Sequence, residues 1–319
     1  MRVVFLGNAA WSVASLQTLA ASWHEISLVL TRAPRPAGRG NRPAPTPVAQ
    51  AARALGLPLK EVETVKSGRG FEALAGAAPD VLAVVAYGEI LPKAVLDLPS
   101  AAPINVHFSL LPQLRGAAPV HRAILEGLDV TGVTTIRMDE GTDTGPVLVQ
   151  AEEAISPDDD AGSLGARLAT LGGRLLVDTL DRLEAGSLVG QPQDETKATN
   201  APKLKLEDRV LDWSQPAESI ARQVRALAPD PGATTTFRGK GLNILRATSS
   251  ERPHTEPVPE ALGPGEVVGA VVRGPEKGFY VLSGDGVLRL DEVQPEGRRR
   301  MSGAEFARGY RPEIGERLG

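Results

Sequence analysis

The chain has 319 residues, of which 42% are hydrophobic and 23% are charged, and this length and composition suit two globular domains rather than a fibre or a disordered chain. It contains no cysteine, which excludes disulfides, cysteine nucleophiles and cysteine-ligated metals. Its net charge of −4 means that a partner as anionic as a nucleic acid would need a local basic patch.

The first half of the chain alternates strand and helix patterns. Apolar runs predict buried strands at 2–6, 26–30, 81–86, 104–108, 133–138 and 147–154. Apolar residues at helical spacing predict helices at 13–19, 48–55, 118–126 and 164–183. Parallel strands need crossover connections and are buried on both sides. The alternation therefore favours a Rossmann-like α/β fold, with a mostly parallel sheet and helices on both faces.

The second half has a different pattern. Apolar periodicity fades between Gln191 and Leu206, and one further helix is predicted at 217–227. Short strands with glycine turns then follow at 233–237, 242–247, 265–272, 278–282 and 287–293, with a proline-rich loop at 252–264. Five short strands match the count of an OB-like β-barrel. We therefore predict an α/β domain at 1–190, a linker at 191–206 and a barrel domain at 207–319.

Nothing in the sequence predicts contact with a membrane. No apolar run approaches the ~20 residues that a membrane span needs. The apolar stretch from Val3 to Leu6 is too short for a secretion signal. We expect a cytoplasmic protein, and the sequence indicates no obligate protein partner.

Polar side chains occupy the end of the strand predicted at 104–108. Asn105 and His107 are two residues apart, so on a strand they project from the same face, at the carboxyl end where open α/β sheets bind ligands. An amide and an imidazole side by side can hold a developing oxyanion. A packed core histidine beside a turn asparagine would give the same pattern, and the pair alone does not decide between the two interpretations.

A carboxylate favours the catalytic interpretation. Asp143 lies in the glycine-rich loop from Gly141 to Gly145, and a loop between two strands can return to the sheet edge beside His107. An aspartate there would orient the imidazole, fix its protonation and help to take a proton from an attacking amine. A turn-forming aspartate is the alternative, and this is our interpretation of Asp139.

The other histidines do not indicate a metal site. None has acidic or histidine neighbours at metal-ligand spacing, and we predict no metal. His121 follows Pro119 in a predicted helix and is interpreted as a packing or surface histidine. The turn from Gly7 to Trp11 follows the first strand but lacks the further glycines of a dinucleotide site, so we interpret it as a plain strand-to-helix turn.

A basic stretch without acidic residues extends from Ile26 to Lys60. It includes Arg35, Arg39 and Arg42 among prolines and glycines, a composition suited to contacts with phosphates and stacked bases. A solvated loop without a ligand is the alternative.

Several motifs together resemble the formyltransferases that use 10-formyltetrahydrofolate, and among these the ones that act on methionyl-tRNA. The central motif extends from Ser109 to Pro119, is preceded by Asn105 to His107 and is followed by Gly141 to Gly145. The matching segments extend over nearly the whole chain and include Arg35 to Gly40, Val85 to Gly88, Leu91 to Lys93, Gln193 to Thr196 and Leu211 to Trp213.

The resemblance implies transfer of a formyl group from 10-formyltetrahydrofolate, as co-substrate, to the amino group of initiator methionyl-tRNA, without a metal. It implies that Asn105 and His107 hold the oxygen of the tetrahedral intermediate while Asp143 orients and charges the histidine. The folate pocket implied by the resemblance consists of Ser109, Leu110, Leu111, Pro112, Ala86, Tyr87 and Gly88. The candidate tRNA contacts are Arg35, Arg39 and Arg42 in the basic stretch and Lys203 and Lys205 in the linker.

The sequence departs from the family pattern at three places: at Gly7 to Trp11, where Gly-Thr-Pro-x-Phe is usual, at Phe108, and at Gln113-Leu114. Three other functions share parts of the pattern. A sugar-nucleotide N-formyltransferase would not need the basic stretch, and a formyltetrahydrofolate hydrolase would turn over without an acceptor. An RNA-binding protein with an inactive α/β domain would lack at least one of the three catalytic candidates, which are all present.

Overall fold

The protein is described from a computed structural model, which covers residues 1–37, 42–250, 269–272 and 278–319. The chain divides into two compact units. The first unit comprises Met1–Pro119, Asp129–Ile155 and Leu164–Lys203, and the second comprises Val120–Leu128, Ser156–Ser163 and Leu204–Gly319. The domain limits proposed from the sequence stay a prediction.

The first unit is an α/β structure. The strands in its described part are β1 (Arg2–Gly7), β2 (Glu25–Arg32), β3 (Arg35–Ala37), β4 (Arg42–Ala44), β5 (Leu59–Val62), β6 (Val81–Val85), β7 (Ala102–His107), β8 (Val130–Arg137) and β9 (Val147–Ala154). Its helices are α1 (Trp11–Ala20), α2 (Pro47–Ala54), α3 (Gly68–Ala77) and α4 (Lys93–Leu96). Helices α5 (Pro119–Leu125) and α6 (Ala161–Glu184) include residues of both units.

Seven of these strands form one sheet in the order β5-β2-β1-β6-β7-β8-β9, and β3 pairs with β4 in a separate hairpin. Strands β5, β2, β1, β6 and β7 are parallel, whereas β8 is antiparallel to β7 and β9 to β8. The central strands are the most apolar, and every residue of β6 is buried. Burial on both faces is what a central parallel strand requires. The predicted mostly parallel α/β sheet is therefore confirmed.

Sequence patterns missed several elements of the first unit, among them β5 and α3. Strand β5 is only partly buried, so its sequence lacks the continuous apolar run that marked its neighbours. Helix α3 contains Gly68, Gly70 and Gly76, which weaken a helical signal, although its Leu74 is fully buried. Packing against the sheet compensates for the weak local preference.

The second unit is built around an antiparallel sheet. Its described elements from residue 217 onward are α7 (Ala217–Leu227), β10 (Ala233–Phe237), β11 (Lys240–Ser250), β12 (Val271–Val272), β13 (Tyr280–Leu282), β14 (Val287–Pro295), β15 (Met301–Ser302) and α8 (Gly303–Tyr310). The strand order is β10-β11-β14-β13-β12, and β15 pairs with β14. The predicted loop at 252–264 and most of the strand predicted at 265–272 lie outside the described residues.

Aromatic residues form the centre of the second unit's core. Phe279 and Phe306 are 1% exposed and stack with ring centroids 4.8 Å apart, and Phe237 meets Phe306 edge to face at 5.3 Å. Phe306 comes from α8, which sequence patterns missed and which begins with a capping box formed by Ser302 and Glu305. The antiparallel sheet rich in short strands is confirmed, whereas its OB-like topology is not established by these pairings. Among all the residues described, no helix has both the length and the apolar character to cross a membrane.

Candidate active site

The candidate site is built on β7, the last of the parallel strands. Val106 pairs with Val85 of β6, so the carboxyl ends of these two strands coincide at one edge of the sheet. Asn105 and His107 project from the same face of β7 because they are two residues apart. The His107 side chain is 5% exposed, so its ring nitrogens depend on protein partners rather than bulk water.

The loop between β8 and β9 brings the third side chain to this position. Because β8 is antiparallel to β7 and its last residue, Arg137, pairs with Ile104, the loop leaves the sheet near the amino half of β7. It then returns toward His107. Asp143, within this loop, has a φ of +55°, in the left-handed region that aspartate tolerates better than most residues.

The Asp143 carboxylate collects donors from three directions. Asn105 Nδ2 donates to Asp143 Oδ1 at 3.0 Å, and the N–H of Gly116 donates to Oδ2 at 2.9 Å. His107 Nδ1 lies 3.5 Å from Oδ2, and His107 Nε2 lies 2.9 Å from the carbonyl oxygen of Leu114. Carboxylate and carbonyl oxygens only accept, so each ring nitrogen of His107 faces an acceptor. The three side chains singled out in the sequence thus meet in space.

A cavity of about 560 Å³ opens beside these side chains. Its volume falls in the range of small-molecule pockets, ~300–1,000 Å³. Asn105, His107 and Asp143 line it, as does the turn from Ala86 to Gly88 at the end of β6. Apolar side chains complete much of the wall, among them Val84, Ile90, Ile136 and Met138.

The altered turn after β1 supports this wall. The Asn8 side chain donates to the carbonyl oxygen of Tyr87, while its Oδ1 accepts from Arg32 N at 2.8 Å and from Thr31 Oγ1 at 2.9 Å. Burial, and secondarily the nearby Glu89 carboxylate, raises the pKa of the Tyr87 phenol above its ordinary value. Sequence reasoning treated this turn as plain; the structure shows that Asn8 connects the end of β2 to the cavity turn.

Two of the departures from the family pattern contact each other at the cavity. Trp11 and Phe108 both line it, with ring centroids 6.2 Å apart and planes at 83°. Trp11 fits because Gly165 of α6 has no side chain; a Cβ there would lie 2.4 Å from Trp11 Cε2. The two large rings therefore form one packed pair.

The segment from Ser109 to Pro112 is held by hydrogen bonds to Gln113 and to the strands β8 and β9. Of the described residues that line the cavity, none comes from this segment. Ser109 Oγ donates to Gln113 O at 2.6 Å, the carbonyl of Ser109 accepts from Thr134 Oγ1 at 2.7 Å, and that of Leu111 accepts from Gln150 at 2.7 Å. These groups hold the loop that follows His107, and a folate contact for this segment stays a prediction.

Part of the predicted linker packs on the same loop. Arg115 N donates to Thr199 O at 2.9 Å, and Ala201 N donates to Arg115 O at 2.6 Å. The Arg115 guanidinium also donates to Gln193 and Glu195, and the hydrogen bond that Glu195 accepts raises the arginine pKa. The sequence signals for this role were the two motifs that contain these residues, Ser109 to Pro119 and Gln193 to Thr196.

The basic candidates are spread over the chain. Arg35 begins β3, its side chain is 58% exposed, and it lies 4.0 Å from Glu63. Arg42 begins β4, which pairs with β3, and Arg39 lies outside the described residues. Lys203 is exposed. Lys205 is 70% exposed and lies 3.1 Å from Glu207.

Comparison with known proteins links this geometry to one family. Residues 1–180 match Formyl transferase, and residues 203–311 match Formyl transferase, C-terminal domain. The chain is 47% identical over 319 residues to the methionyl-tRNA formyltransferase of Solibacter usitatus, an alignment that covers 100% of this chain and 99% of that protein.

Solved structures with a similar fold are more distant in sequence. HypX from Aquifex aeolicus in complex with tetrahydrofolic acid matches with a TM-score of 0.64 and 17% identity, over 99% of this chain and 48% of that one. This chain thus spans about half the length of HypX. An N-formyltransferase from Helicobacter canadensis, in complex with folinic acid and dTDP-3-aminofucose, matches with a TM-score of 0.64 and 16% identity, over 92% and 98%. At these identities the similarity establishes a shared fold, not a shared substrate.

Proposed function

Since the chain belongs to the formyl transferase family, we propose that it transfers a formyl group from 10-formyltetrahydrofolate to the free amino group of initiator methionyl-tRNA. The product, formylmethionyl-tRNA, serves translation initiation in the cytoplasm. The observation that carries the proposal is the meeting of Asn105, His107 and Asp143 on the wall of a 560 Å³ cavity.

The cavity suits the pterin end of a folate. Its apolar walls can cover a flat ring system, while the backbone groups of the turn from Ala86 to Gly88 and of the Asp143 loop offer donors and acceptors. The formyl group would then lie next to Asn105 and His107. A folate-type ligand is also what the similar fold of HypX carries.

Formyl transfer proceeds by addition and elimination. The amino nitrogen attacks the formyl carbon, a C–N bond forms, and the carbonyl electron pair moves to the oxygen. One N–H of the Asn105 amide donates a hydrogen bond to Asp143. The other N–H has no protein acceptor among the residues described, so it can donate to the oxygen of the intermediate. A positive charge on the His107 ring, next to the same carboxylate, would stabilise the oxyanion electrostatically.

Collapse of the intermediate restores the carbonyl and breaks the bond to N10 of the folate. In the intermediate the nitrogen that attacked carries a positive charge, and it gives one proton to the Asp143 carboxylate. The carboxylate passes this proton to N10 as the bond between N10 and the formyl carbon breaks, so that neutral tetrahydrofolate leaves. Asp143 therefore acts on the proton and on the orientation of the histidine, and no covalent intermediate with the protein is needed.

We propose that basic side chains bind the tRNA. Arg35, Arg39 and Arg42 would contact the acceptor end, and Lys203 and Lys205 the phosphate backbone. We propose an OB-like arrangement for the antiparallel second unit, a module frequently used to bind nucleic acids. The domain limits in this proposal are those predicted from the sequence: 1–190, 191–206 and 207–319.

An acceptor panel tests the function. The protein is incubated with 10-formyltetrahydrofolate and, separately, with charged initiator tRNA, charged elongator tRNA, an amino sugar nucleotide or no acceptor. We expect formylation of the charged initiator tRNA alone. Formylated sugar would support the sugar-nucleotide alternative instead, and tetrahydrofolate release without an acceptor would indicate a hydrolase.

A matched pair of variants tests the site. Asp143→Asn removes the negative charge beside His107, and we expect kcat to fall by about 10²- to 10⁴-fold, the usual range for loss of general acid–base catalysis. Asp129→Asn, at an exposed position of the same unit, should keep the activity of the unmodified chain. Equal activity of the two variants would show that the Asp143 carboxylate has no catalytic role.

A further inference from the structure

The loop that carries Asp143 is held by a side chain from a distant part of the first unit. Gln193 Nε2 donates to the carbonyl oxygens of Asp143 at 2.8 Å and of Gly145 at 2.7 Å. One amide group thus connects to the loop on both sides of Thr144. The contact fixes the backbone of Asp143, not its carboxylate.

Arg115 determines the orientation of that amide. Its Nε and Nη2 donate to Gln193 Oε1 at 3.1 and 2.8 Å, and its Nη1 and Nη2 donate to Glu195 at 2.9 and 2.7 Å. Because Gln193 Oε1 faces a guanidinium, the NH₂ end of the same amide has to face the loop carbonyls. The Arg115 side chain is only 8% exposed, whereas that of Glu195 is 69% exposed, so the guanidinium is buried while its carboxylate partner faces water.

Hydrogen bonds connect Asp143 to Arg115 by two separate routes, one through Gly116 and one through Gln193. Arg115 precedes Gly116, whose N–H holds the Asp143 carboxylate at 2.9 Å, while Gln193 holds the Asp143 carbonyl. Both connections lead to Arg115. Asp143 has a φ of +55°, a left-handed conformation that has a modest cost even for aspartate, and these hydrogen bonds help to offset it.

We propose that Gln193 and Arg115 are positioning residues that fix the direction in which the Asp143 carboxylate faces Asn105 and His107. The inference rests on the proposed function, because that reaction is where the direction of the carboxylate matters. Neither Gln193 nor Arg115 is among the residues that line the cavity. Their replacement should therefore act on turnover rather than on binding of the co-substrate.

Two glutamines two residues apart provide the matched comparison. Gln193→Met keeps the length of the side chain and removes its hydrogen bonds. Gln191→Met makes the same replacement at an exposed glutamine whose side chain has no hydrogen bond among the described residues. We expect Gln193→Met to lower kcat by about 10- to 100-fold with little change in KM for 10-formyltetrahydrofolate, since a displacement of ~1 Å in a catalytic group can have this effect. Gln191→Met should leave both constants unchanged.

Two further measurements separate positioning from a general structural role. In an Asp143→Asn background, Gln193→Met should lower kcat by less than about twofold, because it acts through the residue already replaced. Hydrogen–deuterium exchange of peptides covering 139–146 should be faster in Gln193→Met and unchanged in Gln191→Met. The exchange measurement does not depend on activity.

The outcomes distinguish this inference from the function on which it rests. An unmodified chain that formylates no acceptor would count against the proposed function, and the inference would fall with it. An active unmodified chain together with an unimpaired Gln193→Met variant would overturn the positioning role alone. Full additivity of the two replacements, or unchanged exchange in the loop, would also overturn it.

Discussion

Gly116 holds the Asp143 carboxylate through its backbone N–H at 2.9 Å, in a conformation that few other residues can adopt. Its φ is +121°, and a Cβ at this position would lie 2.8 Å from the carbonyl oxygen of Ala201. A side chain would therefore push the loop away from residues 199–201 or rotate the N–H away from Asp143.

We expect Gly116→Ala to lower the free energy of unfolding by roughly 1–3 kcal/mol, since both backbone strain and a close contact are introduced. It should also lower kcat by about tenfold or more, because the Asp143 carboxylate loses a donor. Urea unfolding and steady-state kinetics measure the two effects.

Gly56→Ala is the control for backbone conformation. Gly56 has a φ of +67°, and a Cβ there would meet nothing within 4 Å. This variant should lose about 1 kcal/mol and keep its kcat. If Gly116→Ala lost no more activity than Gly56→Ala, the N–H of Gly116 would have no part in holding Asp143.

At the scale of single elements, α6 shapes the cavity because two of its residues are glycines, which have no side chain. Gly165 leaves room for the Trp11 ring, which packs edge to face on Phe108. Gly172, further along α6, leaves room for Val106 and Phe108, with a Cβ 3.0 Å from Val106 Cγ1. Glycines in the interior of a helix are unfavourable by themselves, so close packing against the cavity wall explains their use here.

We expect Gly165→Ala to lower the free energy of unfolding by about 1–3 kcal/mol, as overpacking of a filled site does. It should raise KM for the folate co-substrate, because the displaced Trp11 ring would enter the cavity. Gly76→Ala in α3 is the matched control, since a Cβ there would meet nothing within 4 Å. That replacement should stabilise the protein by about 0.5–1 kcal/mol and leave KM unchanged. Equal effects of the two replacements on KM would show that Gly165 does not shape the cavity.

Elements were predictable from the sequence where burial is strong. Strands β1, β2, β6 and β7, the long helix α6 and most short strands of the second unit follow from apolar periodicity, which is a local property. Strand β5 and helices α3 and α8 were missed because they are half exposed, rich in glycine or short. Contacts with the rest of each unit, rather than local preference, stabilise them.

At the scale of the whole molecule, each unit contains a histidine that resists protonation. Burial, followed by the nearby chain amino group, lowers the pKa of His24 below its ordinary value of 6.5. Burial, followed by the charge of Arg122, lowers the pKa of His121 below the same value. As the pH falls below 6.5, the unfolded chain therefore takes up protons before the folded chain does.

Proton uptake by the unfolded state favours unfolding, so we expect thermal stability to fall between about pH 6.5 and pH 5 and to be flat just above this window. Thermal scans at pH 7.5, 6.5, 5.5 and 5.0 measure the effect. His24→Asn or His121→Asn should each flatten the decline, whatever the stability of that variant at pH 7.5. Declines as steep as that of the unmodified chain in both variants would assign the acid sensitivity to other groups.

Local sequence was sufficient to predict the type and order of most elements. It also predicted that Asn105 and His107 project from the same face of a strand, since alternation along a strand is a property of neighbouring residues. The signature motifs also identified the family before any geometry was known. Folding alone established that β8 reverses direction beside β7, and that Asp143 meets His107 and Gly116. These contacts join residues far apart in the chain, and the path of a loop depends on all its hydrogen-bond partners at once, which no local periodicity encodes.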